Sequence, residues 1–312
     1  MDSSLLSNNI GLIAKYTLEN NNYDLIAGIR AERQAFNRKD NQSYDDWTGN
    51  WQYMQNPFLQ LETRLKGVTL TAGCGLSTFY QNGRTASIYH VEPSLGIFYE
   101  NLRHAQYNLA FSNNVNYPAL HELFSSSSGN PDVKEESAWK YEASTLQPFD
   151  SGSISITAFY NQIDNMVEKA DDIYQNIEQV NSYGFEAVFK WKFITEHSIE
   201  YRYLDYTEDS DRPLNENPKN IVTITEKAKL PWNVKLDYNV TWHDNSTSWQ
   251  NVAADDKYIL SSYWLHNAYL SKSISRFKCK LGIENILDQN YEDKYGYPQP
   301  GIDFVFSCEA SI

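Results

Sequence analysis

Trp232-Asn-Val-Lys-Leu-Asp-Tyr-Asn-Val-Thr-Trp242 alternates without a break. Trp232, Val234, Leu236, Tyr238, Val240 and Trp242 share one parity; Asn233, Lys235, Asp237, Asn239 and Thr241 share the other. Successive side chains of a strand point to opposite faces, so the stretch predicts a strand with one apolar wall and one polar, charged wall. Its eleven residues match the roughly 9–11 that a tilted strand needs to cross a hydrocarbon layer. The tryptophans at its two ends match the interfacial aromatic girdles of a membrane barrel. Strands of soluble sandwiches alternate too, but average only about 5–6 residues.

The pattern recurs along the chain. Leu25, Ala27, Ile29 and Ala31 oppose Asp24, Gly28, Arg30 and Glu32; Leu59, Leu61 and Leu65 oppose Gln60, Glu62 and Arg64. Val68 to Ser77, Phe277 to Glu284 and Asp303 to Ile312 repeat it. No segment keeps a 3.6-residue apolar period, so helix is a minor component. Short links near 19–22, 66–67, 101–103, 148–151, 195–197, 230–231 and 273–276 alternate with longer polar ones. The longer ones fall near 34–56, 81–88, 117–136, 165–176, 207–219, 243–258 and 286–301. The fold expected is all-β: an antiparallel up-and-down transmembrane β-barrel, read as one continuous domain over residues 1–312, with short periplasmic turns and long outer loops. The count is about 15 strands. Bacterial single-chain barrels have even counts, so an odd number of strands is expected ahead of this sequence.

Composition agrees and excludes. The chain has 312 residues, 40 acidic against 26 basic, for a net charge of −14. That balance argues against a nucleic-acid partner, whose binding rests on Lys and Arg at phosphates. Mean hydropathy is −0.60 and the sequence has no long uncharged apolar run, which excludes a spanning helix but not a barrel whose strands average out as polar. Aromatics are abundant, with 23 Tyr, 14 Phe and 8 Trp. Cys74, Cys279 and Cys308 show no metal or redox spacing, sit on the apolar parity and read as free, buried-type thiols. The N-terminus, Met-Asp-Ser-Ser-Leu-Leu-Ser-Asn, shows neither a basic region nor an apolar run of an export signal.

Two blocks carry a family pattern. The first is Asn116-Tyr-Pro-Ala-Leu-His-Glu-Leu-Phe124, with Gly129-Asn-Pro-Asp-Val-Lys-Glu-Glu-Ser137 and Tyr141-Glu142. The second runs from Leu265-His-Asn-Ala268 through Gly282-Ile-Glu-Asn-Ile-Leu-Asp288 and Tyr291-Glu292 to Gly296-Tyr-Pro-Gln-Pro-Gly301. Phe159-Tyr160, Tyr174, Asn176 and Gly184-Phe-Glu186 lie between them. Together they resemble the barrel of TonB-dependent outer-membrane receptors, specifically from about residue 89 onward. The positions carrying the resemblance are Pro118, Glu122, Leu123, Gly129, Asn130, Pro131, Glu135, Gly184, Glu186, Asn285, Tyr291, Gly296, Pro298 and Gly301.

The resemblance implies a barrel of about 22 strands around an N-terminal plug, of which this sequence would hold the last 15 or so. On that reading the missing strands, the plug and its TonB-contacting box precede it. The implied partners are outer-membrane lipid, the TonB complex acting through the plug, the barrel-assembly machinery and a small-molecule ligand. The implied function is active import of a scarce ligand such as a ferric siderophore, haem, cobalamin or a glycan, without catalysis and without a cofactor. The family's terminal aromatic is replaced by Ile312, which predicts less efficient assembly. Alternatives from other classes are a plug-free passive or recognition barrel and a soluble all-β binding protein.

Candidate site residues are few. Tyr44, Trp47, Trp51 and Tyr53 in the longest polar stretch, and Trp249 in a later one, pair aromatic faces with polar neighbours, as a ligand site at a barrel mouth would. The acidic run Thr207 to Arg212 with Glu216 lacks the fixed spacing of a calcium loop and reads as solvated. No nucleophile triad is supported.

Overall fold

The computed structural model describes residues 3–40, 44–83, 87–170, 173–208, 216–251 and 256–310. Its first six strands are β1 (Ser3–Glu19), β2 (Tyr23–Asp40), β3 (Tyr44–Leu65), β4 (Val68–Gln81), β5 (Ile88–Glu100) and β6 (Gln106–Asn116). The short helix α1 (Leu120–Phe124) precedes β7 (Glu136–Phe149), β8 (Gly152–Ala170), β9 (Ile173–Lys192), β10 (Glu196–Glu208), β11 (Asn220–Leu230) and β12 (Val234–His243). A hairpin follows, β13 (Ser246–Asn251) with β14 (Asp256–Leu260), then β15 (Tyr263–Ile274) and β16 (Phe277–Glu284). The chain finishes with the small pair β17 (Glu292–Lys294) and β18 (Tyr297–Pro298), and β19 (Asp303–Ala310). Fifteen strands form one sheet in chain order, with the two hairpins set aside as loop structure. β12 is the fourth strand from its end.

The chain clusters into two compact units: Met1–Asn101, Tyr107–Ala143 and Tyr160–Asn181 in one, and Leu102–Gln106, Ser144–Phe159 and Ser182–Ile312 in the other. The first unit wears its apolar residues outside. On β4, Leu70, Ala72, Cys74, Leu76 and Tyr80 are exposed, whereas Gly75, Ser77, Phe79 and Gln81 of the other parity are buried. β3 continues the rule: Leu59 and Leu61 are exposed, facing Cys74 and Ala72 across the ladder. A water-soluble sheet would hide the leucines and leave Ser77 and Gln81 to solvent. The inversion fits a strand whose outer face meets hydrocarbon. The core of this unit lies at its loop end, where Phe79, Leu120, Leu123, Val133 and Val180 are buried.

In the second unit, Val234, Leu236, Tyr238, Val240 and Trp242 keep one face of β12, and Trp242 meets Trp264 of β15 at 6.2 Å. The opposite face joins Asn239 to Asn267 by a 3.1 Å hydrogen bond and sets Lys227 beside Asp237. The free-thiol reading fails for two cysteines. Cys279 and Cys308 face each other across β16 and β19 and form a disulfide, whereas Cys74 is free and exposed. Register brings them together over 29 residues, which spacing in the sequence does not display.

Two further expectations are corrected. The Trp232-to-Trp242 strand begins at Val234, because Pro231–Asn233 form a tight turn with left-handed residues. Pro231 has no N–H for the ladder, and Trp232 and Asn233 take φ of 60° and 57°, closing the turn between Leu230 and Val234. Trp232 is 84% exposed, placing its ring at the short-turn end. The longer polar link near 34–56, with the longest loop expected from Asn37 to Gln55, is mostly ladder: β2 runs to Asp40 and β3 starts at Tyr44. Polar residues on both faces concealed the alternation there.

Candidate functional site

At the loop end of the first unit, the motif residues hold backbone. Ala119 N donates to the Glu122 carboxylate at 2.8 Å, capping α1 from within, a type of contact worth about 1 kcal/mol. Leu123 is buried beneath it and Pro118 is buried just ahead. Asn130 N donates to Glu122 O at 2.8 Å; its Nδ2 donates to Tyr174 O, and its Oδ1 accepts from Asp132 N. A side chain at Gly129 would run into the Ser125 carbonyl, so the turn after α1 admits no Cβ. Pro131 is exposed at the tip. Glu135 meets His90 Nε2 at 2.9 Å, and Asn176 clasps the Lys134 backbone through both amide atoms. This loop is thereby pinned to β5 and β9.

Below it, on the inner face, lies a row of glutamines. Gln34, Gln52 and Gln81 are register partners across β2, β3 and β4. Gln34 Nε2 donates to Glu32 at 2.7 Å and Gln52 Nε2 donates to Gln34 at 2.8 Å. Glu92 accepts from Asn56 Nδ2 and from Val115 N, the latter at 3.0 Å. Tyr117 stacks on Phe79 at 4.5 Å between ring centroids, and burial pushes its phenol up to about 12. A cavity of about 640 Å³ opens among these groups, with Arg30, Glu32, Gln34, Gln52, Glu92 and Tyr117 in its wall. The volume falls within the roughly 300–1,000 Å³ of small-molecule pockets. Sequence reasoning missed this constellation; its only signal was a run of amides on the polar parity.

In the second unit, the last loop is closed in the same manner. Asn285, at φ 49° and 5% exposed, receives Gln289 N and donates to the carbonyls of Gln289 and Pro300, while its own N–H bonds Asn267 Oδ1. Asp288 Oδ1 accepts Ile302 N at 3.0 Å, and a Cβ on Gly301 would collide with that carboxylate. Tyr291 stacks on Tyr263 at 4.4 Å, its phenol raised by burial; Gly296 N donates to Glu292, and Pro298 lies in β18. Gly184 and Glu186 lie on β9.

The five aromatics singled out from the sequence lie on strands. Trp51 and Tyr53 share the outward parity of Leu59 and Leu61, and Trp51 contacts Tyr80 at 5.6 Å. Tyr44 and Trp47 are on β3 and Trp249 on β13; their side chains, and the acidic run from residue 209 to 215, lie outside the described residues. The structure brings none of the described aromatics of this set to the glutamine cavity.

The fold has many solved counterparts. The FrpB iron transporter of Neisseria meningitidis superposes with a TM-score of 0.80 at 12% identity, over 97% of this chain and 54% of that one. The copper transporter OprC gives 0.78 at 12%, over 98% and 56%. The pyoverdine outer-membrane receptor FpvA of Pseudomonas aeruginosa PAO1 gives 0.74 at 14%, over 98% and 53%. The chain thus spans about half the length of the structures it matches. The family model described as "TonB dependent receptor-like, beta-barrel" matches residues 2–286, and the chain therefore belongs to this family of bacterial outer-membrane β-barrels.

Proposed function

We propose that residues 1–312 are one continuous barrel portion of an active outer-membrane transporter. On this reading the barrel takes up a scarce ligand, of the kind represented by a ferric siderophore, haem, cobalamin or a glycan, with energy delivered by TonB through a plug. It performs no catalytic step. The observation that carries the reading is the pairing of an apolar outer face with a polar inner face that ends in loops pinned by Asn130, Glu135 and Asn285. A receptor of this design needs a rigid mouth and a wet interior, and its wall needs no buried charge chemistry. Outer-membrane lipid and the barrel-assembly machinery are the partners that follow from such a wall.

Uptake measured in cells that produce the receptor containing this chain tests the proposal. Accumulation of ligand should stop when TonB is removed or the proton gradient is collapsed. Uptake that continues unchanged under both conditions would identify a passive channel instead.

A further inference from the structure

Cys279 and Cys308 close a rung on the apolar face of the last strand pair of the sheet. Phe277, Leu281 and Ile283 share the parity of Cys279; Phe304, Phe306 and Ala310 share that of Cys308. The ladder sets Phe277 opposite Ala310, Leu281 opposite Phe306 and Ile283 opposite Phe304. Leu281 is 53% exposed and Phe306 70%, as befits a wall that meets hydrocarbon. The polar parity of the same pair carries Lys278, Lys280, Ser307 and Glu309. The rung stands near the short-turn end. Cys279 lies two residues beyond Phe277, where the β15–β16 ladder closes, and so rises roughly 5 Å above the turn. Its partner on β15 is Lys272. A lysine at that level can lay its stem on apolar surface and hold its ammonium among the headgroups.

Thiol–disulfide exchange needs a thiolate to reach sulfur. Before the strands enter the membrane the rung is open to water: Cys308 is exposed, and β19 ends the sheet with β16 beside it. After insertion acyl chains cover the same face, and a thiolate entering an apolar layer loses hydration that nothing there replaces. We propose that Cys279 and Cys308 form a modification site for a protein disulfide oxidant on the periplasmic side, filled before β16 and β19 enter lipid and closed to exchange afterwards. The thiolate of Cys308, the more exposed of the two, attacks one sulfur of the oxidant's disulfide and expels the other as a thiolate. The Cys279 thiolate then attacks the Cys308 sulfur, forming the rung and releasing the oxidant's remaining thiolate. Two electrons pass to the oxidant, which leaves as a dithiol, and the two protons lost by the cysteines balance the two that its thiolates take up. The register of β19 on β16 is thereby fixed covalently before lipid is met, whatever the receptor imports.

Glutathione exchange on the full chain carrying Cys74→Ser tests it, with thiols counted by maleimide gel shift and insertion followed by heat-modifiable mobility. Reduced glutathione should open the bond readily in urea, and roughly tenfold or more slowly once the chain is in phosphatidylcholine vesicles. Oxidised glutathione should close the bond of the reduced chain in urea and, by a similar factor, more slowly after insertion. A pair on the polar face separates lipid cover from folding alone. Lys278→Cys with Glu309→Cys joins the adjacent register partners, while Cys279→Ala and Cys308→Ala remove the native rung. Once inserted, this pair should exchange several-fold faster than the native one. The proposal is overturned if the polar-face pair exchanges in vesicles no faster than the native pair. It is equally overturned if the inserted, reduced chain closes its native rung as fast as the chain in urea, a comparison that needs only the native cysteines and holds even where the engineered pair does not assemble.

Discussion

Placing a lysine at Leu59 tests which face of the sheet meets lipid. Leu59 lies six residues before Leu65, where the β3–β4 ladder ends at the Lys66-Gly67 turn. At about 3.4 Å per residue and a tilt of about 40°, each residue climbs roughly 2.6 Å along the membrane normal. Leu59 therefore stands about 16 Å above the turn, near the middle of an apolar band about 25 Å tall. It is 53% exposed, its side chain on the outer parity. A lysine on the lipid face at that depth costs about 2–4 kcal/mol. Loss of the half-covered leucine adds roughly 1 kcal/mol. Leu59→Lys should then cost about 3–5 kcal/mol, about two to four decades in the folding equilibrium. Gln60→Lys, one residue on, faces Gly73 across the ladder on the polar parity; its cost should stay below about 1 kcal/mol. Urea titration of the refolded chain in lipid vesicles, followed by heat-modifiable gel mobility, measures both. Equal costs for the two variants, or a larger one for Gln60→Lys, would refute the inside-out assignment.

Reducing Cys279–Cys308 opens a loop with a sequence separation of 29 and should cost about 3–4 kcal/mol by loop-closure entropy, read as a lower urea midpoint with reductant present. Tyr117 binds its proton more tightly folded than unfolded. Its contribution is whole below pH about 10 and is lost as pH rises through about 12, and Tyr117→Phe should flatten that part of the stability curve. Gly301→Val forces a Cβ into Asp288 and should release the last loop, making residues 285–302 the first protease cleavage site without unfolding the sheet.

Much of this architecture is legible in the chain because lipid and water impose a two-residue period on it. Leu59/Gln60/Leu61 and Leu76/Ser77 declare their faces without any knowledge of register. The period alone also gives the fifteen strands and the place of β12 as fourth from the end. What it does not give is where a strand stops. Trp232 and Asn233 continue the alternation yet belong to a turn, since Pro231 removes a ladder donor without disturbing parity. In 34–40 and 44–56 the opposite occurs, with paired backbone whose sequence mixes polar residues into both parities. Register is the other hidden quantity. Cys279 with Cys308, and Gln34 with Gln52 and Gln81, are neighbours only once the ladders are fixed.

The division of labour between motif and wall follows from the same contacts. Glu122, Asn130, Asn285 and the carboxylate below Gly301 spend their hydrogen bonds on backbone N–H and C=O groups. Buried backbone groups in a loop need partners regardless of what the loop recognises. Residues used this way set loop geometry. Among the described residues of the first unit, the Oε1 atoms of Gln52 and Gln81 are buried without a partner, and neither residue is among the motif positions that carry the family resemblance. The inner wall beside them mixes amides such as Gln34 and Asn56 with Arg30, Glu32 and Glu92, so the residues that fix the loops and those that line the wall are separate sets.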